Sequence, residues 1–245
     1  MAGAMARGWA GAEGGPGAML FCDLDSERAE ALAADVGGET REGLAALAAE
    51  SDVVLLAVKP AALDDVAKEL GHTAPALLSV MAATPTARLS EAFPGVPVLR
   101  VMPNQPVEVR RGVICHAPAA GMPADLEARM LGLLEALGSV FAIDEGRMEA
   151  AMAVMSCAPA YAARFAGDLA TAGAAEGLDP ELSLELVAET LAGTAEMLAQ
   201  RSPEEVQRAV APPGGATEAG LEALAAGGFD AAIEAAVAAS LERFR

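Results

Sequence analysis

The chain has 245 residues, 53% of them hydrophobic and 21% charged, with a formal net charge of −19. This excludes a disordered chain and leaves room for one large domain or two small ones with a sizeable core. Only Lys59 and Lys68 are lysines, so nothing basic clusters, and neither nucleic acid nor an anionic membrane is expected as a partner.

Met1–Trp9 reads as a helix, with Met1, Met5 and Trp9 on one face and Gly14-Gly15-Pro16-Gly17 ending the segment. Ala18–Cys22 is a short apolar strand. Asp23-Leu24-Asp25 follows it, then a helix over Glu27–Val36 capped by Ser26. Leu44–Glu50 is helical, and Asp52–Val58 is a continuous buried strand of the parallel-sheet type. Lys59-Pro60 stops that strand, and Ala62–Leu70 is the next helix. Strands over Ala76–Met81 and Pro97–Met102 flank a helix over Thr86–Ala92. Two further strands, Val113–His116 and Val140–Ile143, flank a helix over Ala124–Leu137 with Gly138 at its end.

From Glu145 to Arg245 the pattern is helical only, punctuated by Pro159, Gly177-Leu178-Asp179-Pro180, Ser202-Pro203 and a Pro-Pro-Gly-Gly loop. Strands alternating with helices, then helices alone, predict a doubly wound α/β domain followed by an all-α domain. The boundary is placed near Asp144, giving domains over 1–143 and 144–245. Cys22, Cys115 and Cys157 are too widely spaced for a disulfide framework or a zinc site, which points to the cytoplasm. The most apolar stretch, Ala150–Ala163, contains Pro159 and is too short for a membrane span. The N-terminus lacks the pattern of a signal peptide.

In a doubly wound fold the first strand, a glycine turn and the next helix bind a pyrophosphate. A carboxylate about 20 residues on holds the ribose hydroxyls. Here the helix begins at residue 1 and the carboxylate is Asp23, without strand or turn. A strand ending in G-x-G-x-x is therefore expected upstream of Met1. At the ribose position Asp23 would repel a 2′-phosphate and favour NADH; otherwise it caps or solvates a strand end. Lys59 follows a buried strand at the carboxyl edge where ligands collect. In the stretch Ala209–Leu221, AVAPPGGATEAGL, a Gly-Gly turn meets a helix start, where backbone N–H groups and the helix dipole favour a carboxylate. A proline-glycine linker before a capped helix is the other reading of that stretch.

Five segments together resemble pyrroline-5-carboxylate reductase: Met1–Trp9, Ser51–Pro60, Val98–Gly112, Ala158–Leu178 and Pro212–Leu224. They fall in order along nearly the whole chain, and the pairing of AVKP, MPN and PGGAT is specific. The resemblance implies a Rossmann-like doubly wound parallel sheet domain, N-terminally truncated, followed by a helical dimerisation domain. It implies an interlocked homodimer, open to higher oligomers, that reduces the C=N bond of 1-pyrroline-5-carboxylate to L-proline with NADPH or NADH. Met1, Ala2, Asp23, Ala57, Val58, Lys59, Pro60, Met81, Ala82 and Asn104 would bind the cofactor. Glu145, Gly214, Gly215, Ala216 and Thr217 would bind the substrate, with Thr217 catalytic.

The chemistry needs a hydride, a proton on nitrogen and a clamp on the carboxylate, without a metal or strong base, so it is mostly positioning. Three departures stand out. Met155-Ser156-Cys157-Ala158-Pro159 replaces a Ser-Gly-Ser-Gly-Pro run, Ala211-Pro212 replaces a Ser-Ser pair, and Ala82-Ala83 replaces Ala-Gly. β-Hydroxyacid dehydrogenases need a lysine in the helical domain, and none follows Lys68. A non-catalytic nucleotide-binding paralogue and a purely structural helical dimer also compete with the reductase reading.

Overall fold

The computed structural model describes residues 1–118 and 121–244, which fall into two compact units. The first comprises Met1–Pro159 with Arg243 and Phe244; the second is Ala160–Glu242.

The first unit is built on a five-stranded sheet of β3 (Val54–Leu56), β4 (Leu77–Ser79), β5 (Val98–Pro103), β6 (Gly112–His116) and β7 (Gly138–Ala142), in that order. A separate parallel pair joins β1 (Leu20–Phe21) to β2 (Glu39–Thr40). Strands β3, β4 and β5 are parallel, but β6 runs antiparallel to β5. The sheet is therefore mixed, where an all-parallel one was expected. Only the segment 104–111, holding a 3-10 turn over Gln105–Val109, links β5 to β6. That is too short for the crossover a parallel pair requires.

Helices α1 (Ala2–Trp9), α2 (Ser26–Val36), α3 (Leu44–Ala49), α4 (Leu63–Leu70), α5 (Thr86–Ala92), α6 (Ala124–Glu135) and α7 (Met148–Met155) complete this unit. Strand side chains alternate between faces, so Leu77 and Val98 join Leu47, Leu63, Leu89 and Phe93 in one core. Leu78 and Leu99 join Met5, Ile114, Met130 and Leu134 in the other. Covering both faces explains why β4 and β5 are buried along their whole length.

Two local expectations are corrected. Asp25, not Ser26, caps α2, its carboxylate accepting the Arg28 N–H at 3.2 Å. Gly138 begins β7 rather than ending α6, at φ 146°, and pairs with Gly112. A Cβ there would collide with the Gly112 backbone, so glycine is required for the register itself.

The second unit is helical, as the sequence reading expected, with α8 (Ala158–Ala175) leading into it, then α9 (Pro180–Leu198), α10 (Pro203–Val210), α11 (Ala216–Ala226) and α12 (Phe229–Phe244). Asp179 caps α9, and a Ser202–Glu205 capping box opens α10. Its core is thin. Among the described residues of these helices only Ala170, Ser183 and Val206 are buried. Phe165, Leu169, Leu182, Leu186, Leu224 and Ile233 are instead exposed. Among the described residues no single helix is long and apolar enough to cross a membrane.

Candidate active site

Parallel strands bring their carboxyl ends to one edge, so the segments after β3 and β4 lie together. After β3 come exposed Ala57, half-buried Val58 and exposed Lys59 and Pro60. After β4 come buried Met81 and exposed Ala82. Lys68 pairs with Asp65 at 3.3 Å, whereas Lys59 forms no ion pair among the described residues. At the start of α1, Met1 is exposed and Ala2 half-buried; no side chain caps this helix and no acidic residue stands in its first turn. Asp23 follows β1, accepts the Asp25 N–H at 3.0 Å and lies 3.9 Å from the Arg28 guanidinium. Its carboxylate keeps 40% of its accessible surface.

Asn104 and Glu145 occupy different settings. Asn104 is buried, with Oδ1 accepting the Val113 N–H at 2.8 Å and Nδ2 donating to the Met155 carbonyl at 3.0 Å. Its side chain is committed within the protein. Glu145 Oε1 accepts from the Thr86 N–H at 2.7 Å, the Thr86 hydroxyl at 2.8 Å and Arg100 Nη1 at 2.8 Å. Burial pushes this carboxyl up, but the Thr86 N–H, the Arg100 guanidinium and the Thr86 hydroxyl together outweigh it, and its pKa is lowered. Arg100 itself is only 2% exposed, with a second carboxylate, Glu149, at 4.0 Å. The sequence reading named neither Thr86 nor Arg100 here. A cavity of about 740 Å³ adjoins Thr86 and Glu145 beside the amino end of β5.

In the helical unit, Gly215 is the N-cap of α11 and provides no side-chain cap. Gly214 N–H donates to Glu218 Oε2 at 2.6 Å, and Gly215 N–H donates to the Pro212 carbonyl at 3.0 Å. Two of the expected carboxylate donors are thus engaged inside the loop. The N–H groups of Ala216 and Thr217, in the first turn of α11, have no acceptor among the described residues. Thr217 is exposed, and its hydroxyl is likewise unpaired among them. Among the described residues no three His, Cys, Asp or Glu side chains are grouped to hold a metal ion.

Residues 145–245 match the family profile described as pyrroline-5-carboxylate reductase dimerisation, and residues 1–83 that of NADP oxidoreductase, coenzyme F420-dependent. The chain is 34% identical over 244 residues to the pyrroline-5-carboxylate reductase of Pseudomonas aeruginosa, covering 95% of this chain and 88% of that one. It is also 34% identical over 197 residues to that of Synechocystis sp., covering 79% and 74%. The chain belongs to the pyrroline-5-carboxylate reductase family. The solved 1-pyrroline-5-carboxylate reductase of Streptococcus pyogenes superposes with a TM-score of 0.89 at 28% identity, covering 100% of this chain and 94% of that one.

Within the pyrroline-5-carboxylate reductase family, the resemblance put glycine where this chain has Ala83. Ala83 adopts φ 52°, the left-handed region in which a Cβ is strained. Ala83→Gly is expected to stabilise the fold by about 1 kcal/mol and raise Tm by roughly 2–4 °C, read by thermal denaturation. An unchanged or lower Tm would show that the backbone there relaxes without help.

Proposed function

We propose that the chain reduces the C=N bond of 1-pyrroline-5-carboxylate to L-proline, using NAD(P)H, as the last step of proline biosynthesis. The end-to-end identity to reductases of that name carries the reaction. The geometry supports particular groups for it. At the carboxyl edge, small Ala57 and Ala82 leave backbone accessible, and unpaired Lys59 offers a positive charge; these features fit an anionic dinucleotide. Met81, next to Ala82, is buried in the core.

The bound nicotinamide supplies the hydride to the imine carbon. The free N–H groups of Ala216 and Thr217 hold the substrate carboxylate at the positive end of α11. Gly214 and Gly215 shape the turn, with Glu218 closing it from behind. Thr217 Oγ1 donates a hydrogen bond to the imine nitrogen, where negative charge develops as the hydride adds to carbon and the C=N π electrons move onto nitrogen. The proton that completes the amine comes from water through this hydroxyl. Glu145 acts indirectly, by fixing the chain that enters α7. The exposed leucines and phenylalanines of α8, α9, α11 and α12, around so thin a core, support an interlocked homodimer.

NADH and NADPH oxidation is followed with pyrroline-5-carboxylate, and proline is identified as product. Turnover that forms proline supports the reading. Cofactor binding without turnover establishes the non-catalytic paralogue instead.

Asp23 marks the cofactor choice. Its carboxylate repels a 2′-phosphate, and Arg28 beside it is shared with Asp25 at 3.8 Å. Asp23→Ser is expected to raise kcat/KM with NADPH relative to NADH by about tenfold. A constant ratio would place Asp23 off the ribose.

A further inference from the structure

We propose that Asn104 is a positioning residue for the imine reduction, its buried amide tying the end of β5 to the turn from which α8 departs. The proposal rests on the reaction stated above.

Asn104 makes four hydrogen bonds. Its N–H donates to the Val113 carbonyl at 3.2 Å, and its carbonyl accepts the Val107 N–H at 3.2 Å. Its side chain accepts the Val113 N–H at 2.8 Å and donates to the Met155 carbonyl at 3.0 Å. The first three close the β5–β6 connection and are local. The fourth reaches a residue 51 positions away.

Met155 is the last residue of α7, where carbonyls lose their intrahelical partners. Ser156 and Cys157 both donate their N–H to the Met152 carbonyl, at 2.9 and 3.2 Å, so the helix closes with one α-type bond and one wider six-to-one bond. Asn104 satisfies the carbonyl of Met155, three residues further on, and α8 begins at Ala158. The turn it holds is Met155-Ser156-Cys157-Ala158, where this chain departs from the Ser-Gly-Ser-Gly run.

The β5–β6 connection that Asn104 opens also carries α1. Gly8 lies against the Val107 carbonyl so closely that a Cβ would collide with it, and Arg7 Nε bonds Glu108 at 2.6 Å. Helix α1, the 3-10 turn, Asn104 and the end of α7 are therefore one connected body. The first of these is the expected cofactor helix; the last leads into α8. Hydride transfer is sensitive to misplacement of about 1 Å, which costs about a hundredfold in rate.

Asn104→Asp tests this, because it keeps the acceptor for Val113 but sets a second oxygen against the Met155 carbonyl. The expected result is a kcat lowered by about tenfold or more, with the Kd for NADH within about twofold of wild type. Amide exchange at Ser156 and Cys157 should accelerate by about tenfold. A wild-type kcat overturns the proposal. So does an NADH Kd that rises in step with the lost activity, which would make Asn104 a cofactor ligand.

If the variant does not fold, amide exchange on the wild-type chain decides. Protection of Ser156 and Cys157 equal to that inside α7 supports the strap, and rapid exchange there refutes it. Should wild type itself not reduce pyrroline-5-carboxylate, the reaction falls while this exchange measurement still judges the strap.

Discussion

Thr217→Val is expected to lower kcat and kcat/KM together by about a hundredfold, while Tm and the dimer stay unchanged. Thr217 is exposed, sits in the first turn of α11, and its hydroxyl bonds nothing among the described residues. Valine has the same shape and a similar helix propensity, so the fold loses nothing. The reaction, in contrast, develops an amine at the ring nitrogen as the C=N π electrons arrive. A hydroxyl placed there has no other partner to replace it. Losing one well-placed hydrogen bond to developing charge costs about 3 kcal/mol, which is about a hundredfold in rate. Steady-state kinetics and size-exclusion chromatography of the variant read both halves. A higher KM at unchanged kcat would reduce the hydroxyl to ground-state binding. No change in either would remove Thr217 from the chemistry.

The legible parts of the fold were those with a local signature. Val54–Leu56, Leu77–Ser79 and Val98–Pro103 each lie inside an apolar run bounded by turn residues, and each is a buried strand. Thr86–Ala92 matches its expected helix end to end. What escaped lacks such a signature. Strand β2 is two exposed polar residues, Glu39 and Thr40, defined only by pairing with β1. The antiparallel β5–β6 pair depends on connection geometry rather than on residue pattern. Asp25 and Ser26 are both good N-caps, and only the backbone at Asp25, with φ −96° and ψ 96°, chooses between them.

The site divides in the same way. The exposed position of Lys59 just after β3 was legible because Asp52–Val58 reads as a buried strand that Lys59-Pro60 stops. The Pro-Pro-Gly-Gly loop was legible as a turn before a helix. Glu218 reaching back to Gly214 was not foreseen, although its spacing of four residues into a first turn is a recognisable capping pattern. The pairing of Arg100 with Glu145 spans 45 residues and that of Thr86 with Glu145 spans 59, separations that no periodicity encodes. One sequence cue did exist: an arginine inside an otherwise apolar strand must find an acid when buried.

That pair sets the second large effect. Glu145→Gln is expected to destabilise the protein by about 3 kcal/mol at neutral pH, because it strands the Arg100 guanidinium in the interior. The figure sits at the low end for a broken buried pair, since Glu149 at 4.0 Å keeps part of the compensation. The pH dependence has a definite sign. Burial raises the Glu145 pKa, but the Thr86 N–H, Arg100 and the Thr86 hydroxyl more than offset it, so the folded value lies below the ordinary 4.5. A depressed carboxylate contributes stability that is fully present above the unfolded value and is lost as pH falls through the folded one. The stability gap between wild type and Glu145→Gln should therefore be constant from about pH 6 to 8 and close progressively below about pH 4.5. Urea unfolding at about pH 7 and about pH 4 measures it. A gap that stays the same at both would show that Arg100 is held by packing rather than by the ionised carboxylate. A gap near zero at neutral pH would show that Glu149 replaces Glu145 altogether.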